Sequence, residues 1–96
     1  MEAGTPRWTF LTNHAQVLLC IAENPDIRLR QMGDAVGITE RAAHRIVGEL
    51  AEAGYLSRER LGRRNRYTIN PHLTMPDPVA RTQRVGDLLE VLAGTP

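Results

Sequence analysis

Gly33-Asp34-Ala35-Val36-Gly37-Ile38-Thr39-Glu40-Arg41-Ala42-Ala43-His44-Arg45-Ile46-Val47-Gly48-Glu49-Leu50 is the stretch whose reading decides the fold. Thr39 can cap a helix N-terminus by accepting from an orphan backbone N–H, and Glu40 suits the positive end of the helix dipole. Ala43, Ile46, Val47 and Leu50 then recur at i, i+3, i+4, i+7 and make one apolar face. Gly54 closes this helix. Upstream, Arg30–Val36 reads as a shorter helix, and Gly37 suits the left-handed position just past its end. Two helices crossing steeply need a small residue where they touch, which Gly33 provides, while Ile38 can plug the turn into the core. These are the parts of a helix-turn-helix.

An inward face fixes the outward one. With Ala43, Ile46, Val47 and Leu50 buried, the helix period turns Arg41, His44, Arg45 and Gly48 outward, with Thr39 and Glu40 at the N-terminal end. Those side chains carry donors and acceptors able to read base edges in a major groove, and Gly48 leaves room for close approach. An ordinary solvated helix face would also fit these residues. The charge that follows favours the first reading. All twelve basic residues are Arg, and residues 58–66 hold five of them against Glu59 alone, a local net charge of +4 in a chain of net +1. Tyr55–Leu61 and Asn65–Asn70 read as two strands, with Tyr67 and Ile69 on one face and Gly62-Arg63-Arg64 as the hairpin tip. Five like charges on a short ribbon repel one another, and a phosphate backbone is the natural counter-charge.

The stretch Leu11–Asn70 resembles the winged helix-turn-helix domain of the MarR-like and ArsR-like bacterial regulators. Leu29-Arg30-Gln31-Met32-Gly33, Gly37-Ile38-Thr39-Glu40-Arg41, Leu50-Ala51-Glu52-Ala53-Gly54-Tyr55-Leu56 and Gly62-Arg63-Arg64-Asn65-Arg66-Tyr67 carry the resemblance. It implies a mainly α fold, three helices plus a small β-wing, and a function in sequence-specific binding of double-stranded DNA to regulate transcription. It also implies that Thr39, Glu40, Arg41, His44 and Arg45 read bases, while Arg58, Arg60, Arg63, Arg64, Asn65 and Arg66 contact phosphates or the minor groove. The wing is closer to the Gly-Arg-Arg pattern of ArsR-like proteins. The clustered cysteines of the metal-sensing ArsR-like proteins are missing, as are the long terminal helices with which MarR-like chains usually build a dimer and a ligand cleft.

The flanks complete the organisation: an N-terminal arm at 1–10, the DNA-binding domain at 11–70, a linker at 71–78 and a C-terminal helical segment at 79–96. Trp8 and Phe10 are expected to anchor the arm to the core, since aromatics bury large areas. Helix one is expected from Thr12 or Asn13 to Glu23, stopped by Asn24-Pro25. Ile27-Arg28-Leu29 alternates and could form a very short strand. Pro71–Pro78 holds three prolines, and Val79–Ala93 reads as a final helix with Val85, Leu88, Leu89 and Leu92 in a second apolar stripe. One winged helix reads few base pairs, so a homodimer formed through that stripe is expected, although the stripe could instead fold back onto Leu18 or Ile21 of helix one.

Composition excludes more than it proposes. With 42% hydrophobic and 24% charged residues, 96 residues make a single globular domain. The longest apolar run, Val17–Ala22, is far short of a membrane span, so the reading is cytoplasmic with no membrane partner. The single Cys20 lies in that run, where a thiol serves as a small hydrophobe. His14, His44 and His72 stand apart in sequence, which speaks against a metal site. With neither a nucleophile–base pair nor a phosphate loop, no catalysis and no cofactor are expected. The competing function is a winged helix used as a protein-interaction module without specific DNA binding.

Overall fold

The structure, a computed structural model, describes residues 4–94; the ends of the expected arm and C-terminal segment, 1–3 and 95–96, lie outside the described residues. Three helices come first: α1 (Asn13–Glu23), α2 (Leu29–Val36) and α3 (Glu40–Glu52). An antiparallel hairpin of β1 (Leu56–Leu61) and β2 (Arg64–Ile69) follows, and then a last helix, α4 (Val85–Ala93). Mainly helical with a two-stranded wing, the chain has the winged helix-turn-helix architecture read from its sequence.

Local chemistry explains each boundary. The Thr12 hydroxyl accepts from the Ala15 N–H at 3.1 Å and starts α1. Thr39 does the same for α3 with the Ala42 N–H at 3.0 Å. Gly37, at φ 85°, turns the chain out of α2, and its N–H donates to the Gly33 carbonyl at 2.8 Å. Gly33 sits where α2 meets the start of α3. A Cβ there would lie 2.7 Å from the Ile38 carbonyl oxygen, so only glycine allows this crossing. Ile38 packs against the core as the expected plug.

The core draws on every element. Val17, Leu18 and Ile21 of α1, Met32 of α2, and Ala43, Ile46, Val47 and Leu50 of α3 are buried with Leu56 and Tyr67 at the base of the wing. Val85 and Leu89 of α4 belong to the same cluster. The wing itself projects outward: in β1 only Leu56 is buried.

Four local expectations need correction. Ile27-Arg28-Leu29 forms no strand. The Ile27 N–H is used by the Asn24 carbonyl, the Arg28 N–H by the Gln31 side chain at 2.9 Å, and Leu29 already begins α2. A bond from the Tyr67 N–H to the Pro25 carbonyl, 3.0 Å, helps tie the wing to this turn. Trp8 and Phe10 do not anchor the arm in the core. They are 61% and 91% exposed and pack edge-on against each other, ring centres 5.0 Å apart.

The other two corrections concern the C-terminal part. The final helix begins at Val85, six residues later than expected, with a 3-10 turn at Pro78–Ala80 before it. The segment expected as a linker is a strap: the Met75 N–H donates to the Gln83 carbonyl, Val85 to Leu73, and Gly86 to Pro71, at 2.8–3.0 Å. The Tyr55 hydroxyl adds a bond to the Thr74 carbonyl at 2.6 Å. The backbone at 83–86 is thus already paired, which explains why the helix cannot start at Val79. Of the apolar stripe, α1 covers Val85 and Leu89, whereas Leu88 is half-buried and Leu92 is 43% exposed.

Candidate nucleic-acid interface

The candidate interface comprises α3 and the wing. Along α3 the buried residues are those of the apolar stripe, so Glu40, Arg41, His44 and Arg45 stand in solvent, with Thr39 exposed at the cap and Gly48 between them. Arg41 and His44 have no side-chain hydrogen bond among the described residues. Arg45 does: its Nη1 donates to both carboxylate oxygens of Glu49 at 3.2 Å. Glu49 in turn lies 2.7 Å from Nε2 of His14 on α1. That contact is the largest influence holding the Glu49 carboxyl below the usual glutamate range; desolvation opposes it, and Arg45 adds to the lowering. His14 therefore connects α1 to Glu49 and, through it, to Arg45 on the outward face of α3.

The hairpin turns on Gly62, at φ 66°, followed by Arg63 with negative φ. This matches a type II′ turn, whose first central position calls for glycine and whose twist suits a two-residue hairpin. The pairing register separates the wing arginines. Arg58 stands opposite Tyr67 and Arg60 opposite Asn65, on the face that carries Leu56 and Tyr67 at its base. Arg64, opposite Leu61, and Arg66, opposite Glu59, point to the other face. Arg63 occupies the tip. The single cluster expected from the sequence is thus two rows and a tip. Arg66 leans back toward Asp26, Nε to Oδ1 3.8 Å, and Arg60 donates to the Gly62 carbonyl at 2.9 Å. No ion pair among the described residues engages Arg58, Arg63 or Arg64.

Between the wing and the starts of α2 and α3 runs an open cleft of about 720 Å³. Arg28, Arg30, Arg60, Arg63 and Arg64 line it, against Glu40 as its one carboxylate. Sequence reading did not single out Arg28 and Arg30. They lie at the start of α2 and become part of the basic surface only when α2 packs beside the wing. A second cleft, about 360 Å³ and mostly apolar, lies between α1, the end of α3 and α4, with His14, Glu49 and Asp77 at its rim.

Among the described residues no three His, Cys, Asp or Glu side chains come together to hold a metal ion. Half-buried Cys20 on α1 has its thiol pKa raised, by burial first and by the neighbouring Glu23 charge second. No described helix is long and apolar enough to cross a membrane.

The architecture therefore presents an exposed polar helix beside a basic wing, and the match to known sequences agrees with it. The model of the MarR family matches residues 8–66, well over half of the chain. The chain belongs to the MarR family. The matched region runs from Trp8 through the helix-turn-helix to Arg66 near the middle of β2, so the winged-helix regulator fold and the family coincide. Comparison with curated proteins returns no match. Between the MarR-like and ArsR-like resemblances of the sequence, the match is to MarR, despite the Gly-Arg-Arg wing. The strap and α4 lie beyond the matched residues.

Proposed function

We propose that this MarR-family protein is a sequence-specific, double-stranded DNA-binding transcriptional regulator of the bacterial cytoplasm. The observation that carries this reading is a basic cleft that runs from the wing to Glu40 at the start of α3. The exposed face of α3, with Arg41, His44 and Arg45, adjoins a cleft in which five arginines meet one carboxylate. A helix in the major groove reads base edges, and arginines aligned beside it neutralise phosphates and fix the register. In this reading Thr39, Glu40, Arg41, His44 and Arg45 approach the bases. Arg58, Arg60, Arg63, Arg64 and Asn65 meet the backbone or the minor groove, joined by Arg28 and Arg30, and Arg66 contributes mainly to the field.

The active form is a homodimer, because two copies related by a two-fold axis read two half-sites where one copy reads few base pairs. The proposed interface is on α4. Val85 and Leu89 serve it indirectly by seating the helix on α1, and the outward side offers Leu88, Leu92 at 43% exposure and Val91 at 80%. Leu92→Asp, which leaves the buried pair intact, should convert a dimer into a folded monomer by light scattering. A variant that remains dimeric places the interface elsewhere.

Selection of preferred duplexes from a random pool tests the function. A single preferred site, lost when Arg41 or Arg45 is changed to Ala, is the expected result. Each bidentate arginine–guanine contact accounts for about 1–3 kcal/mol of discrimination. If no duplex binds even at low salt, the fold is serving as a protein-interaction module.

A further inference from the structure

We infer that Glu49 is a positioning residue for DNA recognition: together with His14 it holds Arg45 in one pose, sharpening base discrimination while lowering general affinity for DNA. This rests on the reading that α3 enters the major groove.

Glu49 has four possible explanations. Core packing fails, since the Arg45 and Glu49 side chains are 61% and 48% exposed. Helix stability is a poor one. In an i,i+4 pair the acidic residue favours the helix when it precedes the basic one, and here Arg45 precedes Glu49. DNA affinity is the opposite of an explanation, because a carboxylate beside the reading face repels phosphates. Orientation accounts for what is observed. The carboxylate is anchored from outside its own helix, by His14 at 2.7 Å.

The bonding pattern fits the task. Both bonds from Arg45 to Glu49 leave from Nη1. The guanidinium is a rigid fork of five donors, so Nη2 and Nε keep their protons free on the other edge. Two parallel N–H donors are what the O6 and N7 atoms of guanine accept. A long flexible side chain already fixed by a carboxylate loses less freedom on making that contact, and it is less able to swing onto a phosphate. On the helix, Glu49 lies at the border between the outward face of Arg45 and Gly48 and the side facing α1. It can therefore hold Arg45 without standing in the groove.

The test uses the full chain and the duplex it selects. Affinities are measured for that duplex, for versions substituted at each base pair, and for an unrelated duplex, with the wild type, Glu49→Gln, Glu49→Ala, His14→Gln and Arg45→Ala. Glu49→Gln keeps the size of the side chain and serves as the conservative variant, with thermal melting as the check on folding. The two Glu49 variants should bind the unrelated duplex more tightly. They should also lose roughly tenfold of discrimination at one base pair, the one at which Arg45→Ala loses it. His14→Gln should lose a smaller part at the same base pair. Combined with Arg45→Ala, Glu49→Ala should cause no further loss there. The inference is overturned if the Glu49 variants tighten binding to every duplex by the same factor, which is simple charge removal. It is overturned too if discrimination falls equally in the Arg45→Ala background, which is a general effect on the fold. A wild type with no preference among duplexes refutes the DNA reading itself, a result distinct from either.

Discussion

Gly48 is the sharpest point at which stability and function should separate. It lies inside the 13-residue helix α3, four residues from its end, at a place where glycine costs a helix about 0.5–1 kcal/mol relative to alanine. Nothing inside the protein accounts for it: a Cβ built at Gly48 meets no atom within 4 Å. Gly48→Ala should therefore stabilise the fold by about 0.5–1 kcal/mol, raising Tm by roughly 2–8 °C for a domain of this size. The same methyl would stand on the exposed face between His44, Arg45 and Glu52, where the backbone is proposed to approach DNA. Forced outward, α3 would weaken its base contacts, and one such contact is about 1–3 kcal/mol. Binding to the preferred duplex should fall between about fivefold and a hundredfold, and binding to an unrelated duplex much less. Calorimetry and a titration of both duplexes decide it. A variant that melts at or below the wild type refutes the steric reasoning. One that melts higher and binds as before refutes the close approach.

Gly33→Ala should do the reverse. Its methyl would stand 2.7 Å from a backbone oxygen, and overpacking of about 1–3 kcal/mol should outweigh the helix-propensity gain, lowering Tm without any change of surface. Arg63→Ala with Arg64→Ala should weaken binding to all duplexes alike and reduce the salt slope by about 2, one for each phosphate contact; an unchanged slope would remove the tip from the interface. Cys20 should react slowly with thiol reagents. Its raised pKa means less thiolate at any pH below that value, so native protein should be modified more slowly than unfolded protein at pH 8, and equal rates would contradict the burial.

What was legible in the sequence was what neighbours in the chain decide. Thr39, Gly37 and Gly33 act within a few residues of themselves, so the turn and both its helices could be read with little ambiguity, and so could the Gly62 hairpin. The start of α4 could not. Val79–Arg84 has nothing against helix in it, and the strap that forbids one is made by bonds to residues 71–75. Trp8 and Phe10 were expected inside because aromatics usually are, yet the core is already filled by α1, α3 and the wing base. Arg28 and Arg30 join the basic surface only through the packing of α2, and nothing near Glu49 in the chain points to His14, its partner across 35 residues. The periodicity placed the exposed face of α3 correctly, but it could not tell which arginine of that face was free and which was held.

The strap also bears on how far apart two reading helices can be. Residues 71–75 are laced to 83–86, and a Cβ at Gly86 would run into Pro71 at 2.6 Å, so α4 is fixed to the body with no room to pivot at that point. A flexible tether would let a pair of copies adapt to operators with different gaps between half-sites. A fixed mount makes the pair a gauge of one length: two copies joined through α4 would accept half-sites at a single separation, and inserting even one or two base pairs between them, which rotates one half-site around the duplex, would abolish binding by the pair while leaving each copy as able to bind as before.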